Sequence, residues 1–167
     1  MRVIATRRRI TQPAREGDVE IHPAWRAAGP AAARATALIV CLPLTPETEG
    51  LIGARELARL PAGAILVNVG RGPIVDEAAL YAALKDGRLF AAALDVWYQY
   101  PPDEAARTHT YPPAYPFHEL ENVVMSAHRT NAVGEIEPFR MEELAQVLDA
   151  IAEGRDAPNR VDVSAGY

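Results

Sequence analysis

Residues 64–72 read AILVNVGRG. An apolar run from Ala64 to Val67 leads into Asn68, Val69, Gly70, Arg71 and Gly72. A short continuous apolar run closed by glycines is the pattern of a strand buried on both faces, as in a parallel sheet. Ligands of open α/β sheets bind beyond the carboxyl ends of the strands. Arg71 therefore falls where a ligand is expected. A tight turn carrying a solvated charge fits the same residues.

Outward from this stretch, strands and helices alternate. On the N-terminal side, 37–42 (ALIVCL) is a buried strand ended by Pro43, and the single Cys41 within it is read as a small core residue. Between the two strands a helix is expected. Thr45 is its N-cap, Pro46 its first residue, Leu51, Ile52, Leu57 and Leu60 its period, and Pro61 with Gly63 its end. Further upstream lie a strand at 2–6, a short edge strand at 18–21 and an Ala-rich stretch at 23–35 read as a short helix or two turns. On the C-terminal side, Asp76 caps a helix with Leu80, Ala83 and Leu84 facing inward and Gly87 as its stop. A strand at 90–94 ends at Asp95, and a Pro- and Tyr-rich loop runs from Trp97 to about Pro116. A strand at 122–127 ends at His128, an amphipathic helix spans 134–153, and a short strand is expected around Val161 to Val163. The alternation predicts an α/β doubly wound parallel sheet. Arg71, Asp95 and His128 then project from one edge of it.

Composition narrows the function. With 167 residues, 49% of them hydrophobic and 23% charged, the chain holds one domain with a core or part of a larger one. A net charge of −5 argues against a general nucleic-acid or membrane-surface role, Arg7-Arg8-Arg9 being a local exception. One cysteine forms no internal disulfide, no apolar run approaches a membrane span, and the N-terminal charges have no apolar stretch behind them. A cytoplasmic protein with no metal site is the default expectation.

Four segments carry a family resemblance: LPLTPETEGLIG (42–53), GAILVNVGRGPIVDEAALYAALKDGRL (63–89), AAALDVW (91–97) and ENVVMSAH (121–128). In that order and at those spacings the chain resembles the C-terminal part of the D-isomer-specific 2-hydroxyacid dehydrogenases. The resemblance implies a Rossmann-like fold and hydride transfer between a nicotinamide cofactor and a small 2-hydroxy or 2-oxo acid. It implies that Arg71 grips the substrate carboxylate, that His128 transfers the hydroxyl proton, and that Asp95 holds the nicotinamide side of the cofactor. Cofactor contacts are implied at Leu42, Pro43, Thr48, Val69 and Gly70, with Arg71 beside them. The chemistry suits these residue types. A guanidinium fork matches a carboxylate with two parallel hydrogen bonds, and histidine exchanges protons near neutral pH.

The sequence departs from that family in three places. No G-x-G-x-x-G turn is present. The expectation is a sheet lacking its first, central strand and the Gly-rich loop, with two strand edges left unpaired. A separately encoded N-terminal half or a second copy of the chain would then complete it, or the flanking strands would pair directly, or the fold would be marginal. Residues 1–133 are read as a partial dinucleotide-binding domain, and 134–167 as a helix and tail returning towards a substrate domain. Second, Tyr100 occupies the position of the family's catalytic glutamate. Tyrosine carries no charge at neutral pH, so the proton relay is weakened unless Asp103 or Glu104 substitutes. Third, Arg7 stands where NAD-preferring members place an acidic residue, which favours the 2′-phosphate of NADP over NAD. The isolated chain is expected to show no hydride transfer and to bind little or no cofactor. The alternative is a non-enzymatic Rossmann-like remnant serving as an interaction or weak nucleotide-binding module.

Overall fold

The computed structural model describes residues 1–8, 10–23, 32–130, 134–161 and 163. Its described strands form two sheets. The first joins β1 (Val3–Arg7), β2 (Ala14–Glu16) and β3 (Val19–Pro23) in the order β1-β3-β2. β1 and β3 run parallel, from Val3 opposite Val19 to Arg7 opposite Pro23. β2 and β3 are antiparallel around a two-residue turn with Gly17 at a φ of 57°. The strand expected at the sheet edge is therefore the central one. The cause is β2, a polar three-residue strand with no apolar pattern to announce it. The Ala-rich reading at 23–35 lies mostly outside the described residues.

The second sheet contains β4 (Ala37–Val40), β5 (Ala64–Asn68), β6 (Leu89–Leu94) and β7 (Val123–Met125), all parallel and in sequence order. Two helices, α1 (Ala54–Leu57) and α2 (Glu77–Lys85), lie in the crossovers. Successive crossovers that step in one direction with one hand fall on one face of a sheet. The core follows from that. Val40, Leu57, Leu60, Leu66, Ile74, Leu80, Leu84, Leu89 and Leu94 are buried together. On the other face Ile39 is 62% exposed, Ile65 38% and Val124 70%. β5 is thus buried on one face and not on two, and its burial alternates with the pleat.

The long helix expected after Thr45 shrinks to the four residues of α1. Side chains of the preceding segment bond locally instead. Thr48 Oγ1 donates to the Pro43 carbonyl at 2.7 Å and accepts from the Thr45 amide at 2.8 Å. Ile52 forms a parallel bridge with Val75, and only then does the Gly53 amide donate to Glu56 Oε2 and open the helix. α2 matches expectation, with Asp76 accepting from the Ala79 amide at 2.8 Å and Gly87 at a φ of 69°. The Pro- and Tyr-rich loop contains short 3-10 turns at Ala105–Thr108 and Phe117–Glu119. It is pinned by Phe117, which is fully buried edge-on to Tyr81. α3 (Glu137–Ala152) carries Met141, Leu144, Leu148 and Ile151, all exposed. Val161 and Val163 belong to no strand, and Asp162 lies outside the described residues.

Among the described residues β1 pairs only with β3, and β4 only with β5. The two strands expected to flank an absent one are both sheet edges and do not pair with each other.

Candidate active site at the carboxyl edge of the parallel sheet

Arg71 is presented by a turn that β5 builds for itself. Asn68, 1% exposed, donates from its amide nitrogen to the Arg71 carbonyl and accepts from the Gly70 amide, each at 3.1 Å. This closes the chain over residues 68–71. The flanking glycines are required by close backbone approach. A Cβ on Gly70 would lie 2.8 Å from the Leu42 carbonyl oxygen, and one on Gly72 only 2.3 Å from that of Trp97. Arg71 is exposed between them. Its guanidinium donates to the Gly70 carbonyl at 2.7 Å and has no acidic partner among the described residues.

Leu42, Pro43, Val69, Gly70 and Arg71 line one cleft of about 440 Å³, together with Cys41 and Leu44. Cys41 is exposed there, contrary to the core position expected for it. β4 ends one residue earlier, and Val40 takes the core place. Thr48 does not line the cleft; its bond to Pro43 fixes the loop that does.

Arg7 lies at the end of β1, in the other sheet. Its two terminal nitrogens donate to the two oxygens of Glu16 at 2.6 and 2.9 Å. Arg8 pairs with Glu47 at 3.0 Å, which brings the end of β1 beside the 45–50 turns. Arg9 is outside the described residues.

Asp95, 3% exposed, faces the turn that carries His128. Oδ1 accepts from the Ser126 hydroxyl and from the Arg129 amide at 2.8 Å. Oδ2 accepts from the Thr130 amide at 3.2 Å and the Thr130 hydroxyl at 2.6 Å. Burial alone would raise the pKa of this carboxyl, but the four donors outweigh it and hold the group well below the usual carboxylate range. Trp97 adds a bond from Nε1 to the Ser126 carbonyl at 2.9 Å. His128, inside the clamped turn, has a φ of 55°, a left-handed conformation that costs a non-glycine residue energy and needs such support. The Tyr100 ring lies 5.7 Å from the imidazole, centroid to centroid.

Neither candidate substitute for the glutamate reaches His128. Asp103 accepts from the Ala106 amide at 2.8 Å, and Glu104 pairs with Arg107 at 3.8 Å. Both are spent on the turn at 105–108.

Arg71, Asp95 and His128 thus follow three adjacent parallel strands at one edge, but Asp95 and His128 do not line the cleft that holds Arg71. Sequence reasoning missed Asn68, Ser126 and Thr130. An Asn two residues before a glycine at a strand end is a turn signal that identifies the first. Nothing local marks the other two, whose partner lies more than thirty residues away.

The sequence model of the family described as D-isomer specific 2-hydroxyacid dehydrogenase, NAD binding domain, matches residues 1–130. The chain is 41% identical over 121 residues to a glyoxylate reductase of Korarchaeum cryptofilum, covering 72% of this chain and 34% of that protein. It is 41% identical over 125 residues to glyoxylate/hydroxypyruvate reductase B of Erwinia tasmaniensis, covering 75% of this chain and 36% of that protein. A solved D-isomer specific 2-hydroxyacid dehydrogenase from Xanthobacter autotrophicus Py2, in complex with NADPH and MES, matches with a TM-score of 0.80 and 33% identity, over 99% of this chain and 63% of that one. An NADPH-dependent glyoxylate/hydroxypyruvate reductase from Sinorhizobium meliloti, with NADP and sulfate, matches with a TM-score of 0.79 and 26% identity, over 99% of this chain and 49% of that one. The chain spans about a third of the length of these curated relatives.

Proposed function

The chain belongs to the D-isomer specific 2-hydroxyacid dehydrogenases, matching their NAD-binding domain, and on that premise we propose that its sheet edge is the nicotinamide half of a 2-oxo acid reductase. The observation that carries this reading is the placement of Arg71, Asp95 and His128 after three neighbouring parallel strands. Arg71, with no acidic partner among the described residues, binds the substrate carboxylate through its fork. His128 gives a proton to the substrate oxygen as it becomes a hydroxyl, and takes one back in the reverse direction. Asp95 serves from behind, by fixing the turn on which His128 stands.

The cleft residues fit a flat heteroaromatic ring. Gly70 lies flush against the Leu42 backbone, and Leu42, Pro43 and Val69 share with Arg71 a wall of mixed polar and apolar surface. These residues would hold the nicotinamide, which supplies the hydride when bound. Arg7 and Arg8 place two guanidinium groups at the end of β1, paired there with Glu16 and Glu47, and the proposal is a preference for NADP over NAD. The cofactors bound by the Xanthobacter and Sinorhizobium proteins agree with it.

The isolated chain is proposed to be inactive. The unpaired edges of β1 and β4 call for a strand supplied by a further segment, by a separately encoded N-terminal half or by a second copy. Residues 134–167 are proposed to return towards a substrate domain, and the exposed apolar stripe of α3 suits packing against one. That stripe equally favours a second reading, a Rossmann-like interaction module without activity.

A chimera separates the two. The 167 residues are joined to the N-terminal part of the Xanthobacter relative and assayed for reduction of glyoxylate and hydroxypyruvate with NADPH and NADH. The chimera is expected to turn over and the 167-residue chain not. His128→Gln should lower kcat by roughly 10²–10⁴-fold, and Arg71→Ala should mainly raise KM. A folded, NADPH-binding chimera without activity, or one indifferent to both substitutions, would refute the enzymatic reading.

A further inference from the structure

The segment that follows β6 reaches the His128 turn three times. Asp95 binds its backbone and hydroxyls, Trp97 binds the Ser126 carbonyl, and Tyr100 meets the imidazole itself. Resting on the functional reading above, we infer that Tyr100 is the positioning residue of the His128 side chain, holding the imidazole plane by ring contact where a charged partner would hold it by a hydrogen bond.

The geometry supports a fixed aromatic support rather than a chance contact. Tyr100 is tethered at its far end, where its hydroxyl accepts from the Trp97 backbone amide at 3.0 Å. That amide belongs to a buried residue whose indole is in turn bonded to the His128 turn. Ring and imidazole stand at 53° with centroids 5.7 Å apart, inside the range in which aromatic pairs attract. The backbone of His128 is held by the Asp95 clamp, so the imidazole has only its own two torsions left to fix. Histidines paired with carboxylates among the described residues are His22 with Glu20 and His118 with Glu119. His128 has no such pair there, and its ring contact is with Tyr100.

The test uses the 167-residue chain itself and needs no turnover. The imidazole carbon-bound protons of His128, assigned by their loss in His128→Gln, are recorded by NMR in the parent, Tyr100→Phe and Tyr100→Leu. The parent resonances should be displaced by the tyrosine ring current. Tyr100→Phe keeps a ring but loses the tether and should show a reduced displacement. Tyr100→Leu should show none. Parent and Tyr100→Leu spectra that coincide at His128, with the fold intact, would overturn the assignment. Should Tyr100→Leu lose its amide dispersion, Tyr100→Phe decides, because an unchanged His128 signal there denies the tether and overturns it too. In the chimera, Tyr100→Leu should lower kcat with KM little changed and Tyr100→Phe should recover part of it. An inactive chimera with the ring-current effect intact would sink the enzymatic reading and leave the contact standing.

Discussion

Replacing Asp95 by asparagine separates the clamp from everything else at the site. The wild-type carboxylate accepts four hydrogen bonds while 3% exposed, so solvent screening offers little relief. Asparagine keeps one oxygen and turns an NH₂ towards two of the donors. Bonds to a charged group are worth about 1.5–3 kcal/mol each, and the Thr130 hydroxyl can rotate to recover part of the loss. The net cost is about 3 kcal/mol, or roughly a hundredfold in the opening equilibrium of the turn. The assay is amide hydrogen exchange at Arg129 and Thr130, whose N–H groups donate to Asp95. Both should exchange faster by about that factor, while amides in β5 stay unchanged. The pH dependence has a definite sign. Because folding depresses the Asp95 pKa, its contribution is complete above the ordinary carboxylate value of 3.8 and is lost as pH falls through the lower folded value. The gap between parent and variant should therefore be constant from neutral pH down to about 4 and narrow only in stronger acid. Equal exchange rates at Arg129 and Thr130 in the two proteins would refute the clamp.

Other perturbations probe separate parts. Gly72→Ala places a Cβ 2.3 Å from a backbone oxygen that cannot swing away; it should cost about 3 kcal/mol or more, read as a lowered urea midpoint. Tyr98 donates to the Val75 carbonyl at 2.9 Å, and burial, with Glu77 and Asp76 nearby, pushes its phenol up. Its stabilisation is complete below the unfolded tyrosine value of 10.0 and lost as pH rises towards the folded one, so Tyr98→Phe should flatten the alkaline limb of a stability-against-pH curve. Glu16→Gln removes the charge that occupies Arg7. In the chimera it should tighten NADPH relative to NADH by fluorescence titration, with little change in stability because the pair is exposed.

What the sequence made legible was the local signalling of the second sheet. The apolar runs at 64–67 and 90–94, the Asp76 cap and the Gly87 stop each act over a few residues, and each element falls where expected, β5 differing only in the burial of its second face. What it hid was decided by partners distant in the chain. Val19 to Pro23 is central because a polar strand folds back onto it, which no periodicity within it reveals. The face of β5 left open is set by the direction of three crossovers, not by the composition of β5. At the site, Arg71 was marked by its own glycines. The support of His128 comes from Asp95, Trp97 and Tyr100, about thirty residues before it, and no spacing rule connects them.

The two halves of the site differ in how much they depend on the unpaired edges. Beyond the strands, ladder bonds continue from the Asp95 amide to the Asn68 carbonyl at 3.1 Å and from the Ser126 amide to the Leu94 carbonyl at 2.9 Å. The tips of β5, β6 and β7 are thereby locked to one another. Arg71, Asp95 and His128 owe their relative places to bonds already made. The proposed cofactor residues stand elsewhere. Leu42 and Pro43 follow β4, and Arg7 ends β1, and each of these strands has an outer edge with no partner among the described residues. A strand entering there would bond to both and fix the distance between Arg7 and the cleft, to which the exposed Arg8–Glu47 pair contributes little. Completing the sheet should therefore change cofactor affinity far more than it changes the spectroscopic signature of His128, and the two measurements together separate the cofactor side of the site from the His128 side.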